Sequence, residues 1–124
     1  MIVEKPLRIG ATIRELLFTS PKVQTIVGKH IYPYLTQEEI RHVHIVYDGL
    51  GVTFEQVKDG EYPSEIALTL NCNTTDYLTG IELGEAVIDV FEDHQDIAVT
   101  YASCEYDAGA NMFTHSITIN ITVQ

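Results

Sequence analysis

Residues 113–123 constrain the fold most. Phe113, His115, Ile117, Ile119, Ile121 and Val123 alternate with Thr114, Ser116, Thr118, Asn120 and Thr122. A period of two sends the two sets to opposite faces of a β-strand. A strand covered on both faces would be apolar throughout, so the alternation requires an antiparallel sheet with one packed face and one wet face. The rest of the chain must supply the other strands and the cover.

The chain before this strand reads as alternating signals. Pro6 suits a first helical position, and Ile9, Ile13, Leu16 and Leu17 recur at helical spacing, predicting a helix over 7–18. Ser20-Pro21 is an N-cap followed by an N1 proline, and Val23, Ile26 and Val27 lead to Gly28, a natural stop, so a short second helix follows. His30-Ile31-Tyr32-Pro33 is extended, and 34–41 reads as a polar loop. Val43, Ile45 and Tyr47 alternate with His42, His44 and Asp48 in a strand interrupted at Gly49-Leu50-Gly51 and resumed over 52–57. Lys58-Asp59-Gly60-Glu61 holds the Asp-Gly pair of two-residue hairpins. The returning strand places Tyr62, Ser64, Ile66, Leu68, Leu70 and Cys72 on one face, with Pro63 at a frayed start or an edge.

Asn73-Thr74-Thr75-Asp76 offers a run of N-caps to a third helix over 75–93, with Tyr77, Ile81, Gly84, Val87, Ile88 and Phe91 as its inner stripe. Gly80 and Gly84 each cost about 1 kcal/mol of helix propensity, so close approach of the helix backbone to the sheet is expected there. Strand 97–102, a turn at 107–111 and the final strand close the chain. The order is helix, helix, strand, strand, strand, helix, strand, strand. No repeat or linker divides it, so residues 1–124 should form a single two-layer α+β domain, its mainly antiparallel sheet covered by helices on one face.

Composition excludes several roles. At 124 residues and 45% hydrophobic content the chain supports its own core and is not disordered. No apolar run approaches the roughly 20 residues of a membrane span, and Met1–Pro6 has no signal-peptide architecture, so a soluble cytoplasmic product is expected. The formal net charge of −11 opposes binding to nucleic-acid backbones or anionic membranes. Cys72 and Cys104 lack a CxxC or CxxH context and read as buried free thiols.

Chemistry is sparse. His42-Val43-His44 sets two imidazoles about 7 Å apart on one strand face, within reach of a shared metal if His30, Asp48 or His115 supplied a third ligand. The paired ligand spacings of structural zinc sites are missing, and no GxSxG, phosphate loop or HExxH occurs, so no metal or cofactor is expected. His115, among apolar positions, reads as a hydrogen-bonded core histidine. Glu82, Glu85, Asp89, Glu92 and Asp93 share the outer side of the third helix, where like charges repel and the last three oppose the helix dipole. A solvated face is the simplest account of these acids, and a protein partner the sharper one.

Ile9-Gly10-Ala11-Thr12-Ile13-Arg14-Glu15-Leu16-Leu17, then Val23 to Val27-Gly28, His30-Ile31-Tyr32-Pro33 and Ile45-Val46-Tyr47 resemble the small tail-completion or tail-terminator proteins of long-tailed bacteriophages and prophages. The likeness runs over nearly the whole chain as an order of elements, and is most specific in Ile31-Tyr32-Pro33 with Ile45-Val46-Tyr47. Val43-His44 stands where the family has Pro-Tyr, Thr36-Gln37-Glu38-Glu39 replaces its Pro-Gln-Gly-like loop, and Gly80 and Gly84 lie in its Ala-rich helix. The resemblance implies a non-enzymatic virion protein at the head–tail junction, assembled in the host cytoplasm. It would form a homo-oligomeric ring, a hexamer in the family, between the tail-tube protein and a head-completion or connector protein, with DNA passing through unbound. Glu82, Glu85, Asp89, Glu92 and Asp93 would then be lumen or partner residues. Two alternatives stay open from the residues: a protein-binding module using the acidic helix face, and a small metal-dependent enzyme using His42 and His44.

Overall fold

A computed structural model describes residues 5–34 and 42–123. A 3-10 turn at Pro6–Arg8 leads into α1 (Ile9–Phe18), followed by α2 (Pro21–Val27), β1 (Ile31–Pro33), β2 (His44–Val57), β3 (Gly60–Thr74), α3 (Tyr77–Glu92), β4 (Ile97–Asp107) and β5 (Met112–Thr122). The strands form one sheet in the order β1-β2-β3-β5-β4, antiparallel except for the parallel β1–β2 pair. The fold is α+β with the helices on one face. Beyond Tyr34, the expected polar loop at 34–41 lies outside the described residues, as does Met1–Glu4 of the opening.

Local signals explain the helix starts. Ser20 Oγ accepts from the Val23 amide at 3.3 Å, and Pro21 begins α2. At α3 the Asp76 carboxylate accepts from both the amide and the hydroxyl of Thr79 at 2.9 Å. That pairing, the amide bond first, lowers the Asp76 pKa.

The rung Ile45–Cys72–His115–Cys104 and the next, Tyr47–Leu70–Ile117–Ala102, face the helices. Ile66, Leu68, Leu70, Ile117, Ile119 and Ile121 meet Ile13, Leu17, Val23, Val27, Leu83, Val87 and Phe91 in one core. α1 covers the β1–β2 side: a Cβ on Gly10 would lie 2.5 Å from Tyr47 Cε2, so only glycine permits that approach. α3 covers β3, β5 and part of β4, with α2 beside it.

The inner stripe of α3 is rotated from the expected one. Gly80, Leu83, Gly84, Ala86, Val87 and Phe91 are buried, whereas Tyr77 is 49% exposed and Ile81 and Ile88 are half-buried. The helix packs against α2 as well as the sheet, so its buried arc widens toward Leu83 and Ala86. A Cβ on Gly80 would collide with the His115 ring and stand 2.8 Å from Thr74 Oγ1, while one on Gly84 would make an ordinary 3.7 Å contact with Ile117. Close approach therefore accounts for Gly80 and not for Gly84.

Two other expectations need correction. The interruption at Gly49-Leu50-Gly51 is a bulge between Asp48 and Gly51, with Gly49 at φ +66°, so the two expected pieces are one continuous strand, β2. The hairpin loop is Lys58-Asp59, and Gly60, at φ +134°, opens β3 opposite Val57. Because β5 ends opposite Glu65, β2 and β3 run past the sheet from Phe54 to Pro63 as an arm paired only with itself, carrying exposed Phe54, Val57 and Tyr62.

Candidate functional site

Three side-chain groups could carry function. The acidic helix face exists as expected: Glu82, Glu85, Asp89, Glu92 and Asp93 are all exposed. α2 packs beside α3, and Glu82, Glu85 and Asp89 form one wall of a groove of about 490 Å³ whose other wall is Pro21, Lys22, Thr25 and Ile26. Asp89 and Asp93 border a neighbouring hollow of about 260 Å³ with Lys22 and His94. Glu92 belongs to neither lining. The face is thus divided, and Lys22 is the cation it meets in both hollows.

The second group lies on the outer sheet face beside β1. His30 and His42 approach to 4.0 Å between ring centroids, and His42 and His44 to 5.8 Å. The Tyr32 hydroxyl stands 2.7 Å from His30 Nδ1 and 3.4 Å from His42 Nε2. His44 is buried and fully engaged: Nδ1 donates to the His42 carbonyl at 2.7 Å, and Nε2 accepts from Asn73 Nδ2 at 3.1 Å. Asn73 Oδ1 accepts in turn from the Thr114 hydroxyl at 2.6 Å. These bonds fix a neutral His44 tautomer. Burial lowers its pKa most, and the imidazoles of His42 and His30 lower it further against the opposing bond to His42.

The cluster therefore does not form the metal site considered for His42 and His44. His44 has no free nitrogen to offer, Asp48 lies farther along β2, and His115 faces the helices two strands away. Among the described residues no three His, Cys, Asp or Glu side chains are placed to hold a metal ion. The outer-face bonds continue from Ser116 to Asn71 at 2.7 Å and between Thr69 and Thr118 at 3.3 Å. The sequence marked Tyr32 only as part of a motif and Asn73 only as an N-cap candidate; their bonds to His42 and His44 join residues 10 and 29 positions apart.

The third group is under α3. His115 packs against Tyr77 at 5.7 Å between rings, and both ring nitrogens are buried without a hydrogen-bond partner. This corrects the hydrogen-bonded core histidine expected there: the helix backbone at Gly80 closes over the ring and presents no acceptor. Desolvation lowers the His115 pKa. Cys72, in the same rung, is buried and its thiol is pushed up to about 12, whereas Cys104 at the other end is exposed, since β4 is an edge strand. Neither thiol is in a disulfide.

Charge is unevenly spread along the chain. Over residues 5–34, which form the α1, α2 and β1 side, Lys5, Arg8, Arg14, Lys22 and Lys29 stand against the single acid Glu15. Lys58 is the last Lys or Arg of the chain, so the acids of α3 and β4 lie in a stretch without a permanent cation. No helix among the described residues is long and apolar enough to cross a membrane.

No protein-family model matches the chain, and no curated protein matches its sequence. Among solved structures the fold is similar to that of a chain in the virion of a native gene transfer agent (GTA) particle. The TM-score is 0.75 at 14% identity, and the alignment covers 93% of this chain and 93% of that one.

Proposed function

We propose that this chain is a non-enzymatic structural protein of a phage or phage-like particle, and that it caps the tail tube and joins it to the head as a homo-oligomeric ring. The carrying observation is the shared fold with a virion chain over 93% of both lengths. The tail-terminator resemblance of Ile31-Tyr32-Pro33 and Ile45-Val46-Tyr47 narrows the position to the tail end, and six copies is the number that family implies. The partners are then further copies of the chain, the tail-tube protein and a head-completion or connector protein. The location is the virion, after assembly in the host cytoplasm.

The electrostatics suit the role. A ring through which DNA slides must not grip phosphates, and a net charge of −11 with no Lys or Arg beyond Lys58 opposes such a grip. Glu82, Glu85, Asp89, Glu92 and Asp93 are the acids we assign to the lumen or to a partner contact. Deleting the gene in a particle-producing host tests the reading: the expected result is tail-less heads together with tubes of uncontrolled length, and intact particles would refute it. A second reading, a module docking a basic protein on the acidic face, is favoured by the groove between Lys22 and Glu85; tight one-to-one binding of a cationic protein by the monomer would select it.

A further inference from the structure

We propose that the bare face of the sheet, over β3, β5 and β4, is the surface along which DNA slides, and that the acidic side of α3 meets protein instead. The inference rests on the ring reading and assigns the face that the ring turns inward.

The two faces of the domain differ in charge. Helices cover one of them and bring cations with them: Arg8 in the opening 3-10 turn, Arg14 in α1, Lys22 in α2 and Lys29 just after it. A lumen lined by this layer would offer those cations to the phosphates once per copy, and phosphate contacts by Lys and Arg are what hold a protein to DNA. The acids of α3 do not stand clear of them, because Glu82, Glu85 and Asp89 share their groove with Lys22. A grooved surface of mixed charge suits a protein partner.

The other face is flat and holds no cation. In β3 and β5 the residues turned to the helices are buried, and those between them, Thr69, Asn71, Asn73, Thr114, Ser116 and Thr118, are half-buried on the bare side. β3, β4 and β5 contain no Lys or Arg, and Lys58 sits at the tip of the arm, beyond the sheet. The charges on this side are acids: Asp48, Glu65 and Glu105 pair with Thr69, Thr122 and Thr114 around the neutral centre, and Asp107 lies at the β4–β5 turn. Hydroxyls and amides can also hold phosphates. Here they hold one another across the strands, Thr114 to Asn73 at 2.6 Å, Ser116 to Asn71 at 2.7 Å and Thr69 with Thr118 at 3.3 Å, while Asn73 Nδ2 is spent on His44. The result is a smooth wall with acids around it and few donors free.

The test uses particles from a host whose own copy of the gene is replaced by a variant. Ala67→Lys/Ala98→Lys puts two cations on the bare face, on either side of Asn120 and away from the cross-strand bonds. Glu82→Lys/Glu85→Lys does the same on α3. Circular dichroism of each purified chain checks folding, electron microscopy counts tailed particles, and DNA delivered is measured per tailed particle. The bare-face variant should lower delivery per particle at least about tenfold. The α3 variant should reduce the number of tailed particles while those that form deliver normally. A photo-crosslinking residue placed at Ala98 or at Glu85 reads the same surfaces without added charge: irradiation during DNA release should attach DNA at the first position and protein at the second. Native delivery by the bare-face variant, lost delivery per particle in the α3 variant, DNA attached at 85 or none at 98 would each overturn the assignment. The ring reading fails separately, if deleting the gene leaves tailed particles intact.

Discussion

His44 Nε2 accepts a hydrogen bond from Asn73 Nδ2 at 3.1 Å while His44 Nδ1 donates to the His42 carbonyl, so a buried neutral imidazole ties β2 to β3, and through Thr114 to β5. A proton on Nε2 would set donor against donor. The bond therefore works in one protonation state.

Stability should accordingly depend on pH. The pKa values of His44 and His115 both lie below 6.5 in the folded chain, His44 and His115 alike chiefly through desolvation. Between 6.5 and the lower folded values the unfolded chain binds more protons, so folding weakens as pH falls. The contribution is fully present above 6.5 and is lost as pH falls through the folded values. Urea midpoints should drop from pH 7.5 to pH 5, and His44→Gln should flatten that slope.

Gly80→Ala should destabilise by about 1–3 kcal/mol, because the new methyl meets the His115 ring and Thr74 Oγ1. Gly84→Ala, with only a 3.7 Å contact, should be neutral or stabilising by up to about 1 kcal/mol through helix propensity. Denaturant unfolding of both variants checks the contrast, and His115→Ala in the Gly80→Ala background should recover part of the loss.

The two thiols should separate cleanly. Cys104 is exposed and should react at once with a thiol reagent in the native state, while Cys72 is buried, held as a thiol up to about 12, and should react only on unfolding. One fast equivalent followed by one that tracks unfolding is the expected trace.

Removing the α3 cap by Asp76→Ala should cost about 1 kcal/mol, since both bonds to Thr79 are lost. Asp76→Asn should retain most of the stability, as measured by thermal unfolding.

The architecture was legible where local chemistry decides it. The alternation at 113–123 required a sheet covered on one face, and Ser20-Pro21 marked a helix start that the structure keeps; of the cap run Asn73–Asp76 the structure uses the last residue, so α3 starts at Tyr77 and not at 75. Pairing was less legible: nothing in three residues Ile31–Pro33 says that they lie parallel to Ile45–Tyr47, because so short a strand carries no signal of its partner or direction. The α3 stripe was read about one position off, since its second neighbour, α2, lies far away in sequence. The acidic face could be read residue by residue, but its division into grooves by Lys22 depends on helix packing. His42, His44 and His30 were read as possible companions, but the place of Tyr32 among them was not, since it depends on the β1–β2 pairing.

The central claim is that the chain closes the end of a tail tube as a ring. The most direct measurement is electron microscopy of tubes polymerised from the tail-tube protein of the same particle, with and without this chain. A ring on one end of each tube and an immediate halt to elongation are predicted. Tubes that elongate unchanged, with the chain left unattached in solution, would contradict the account.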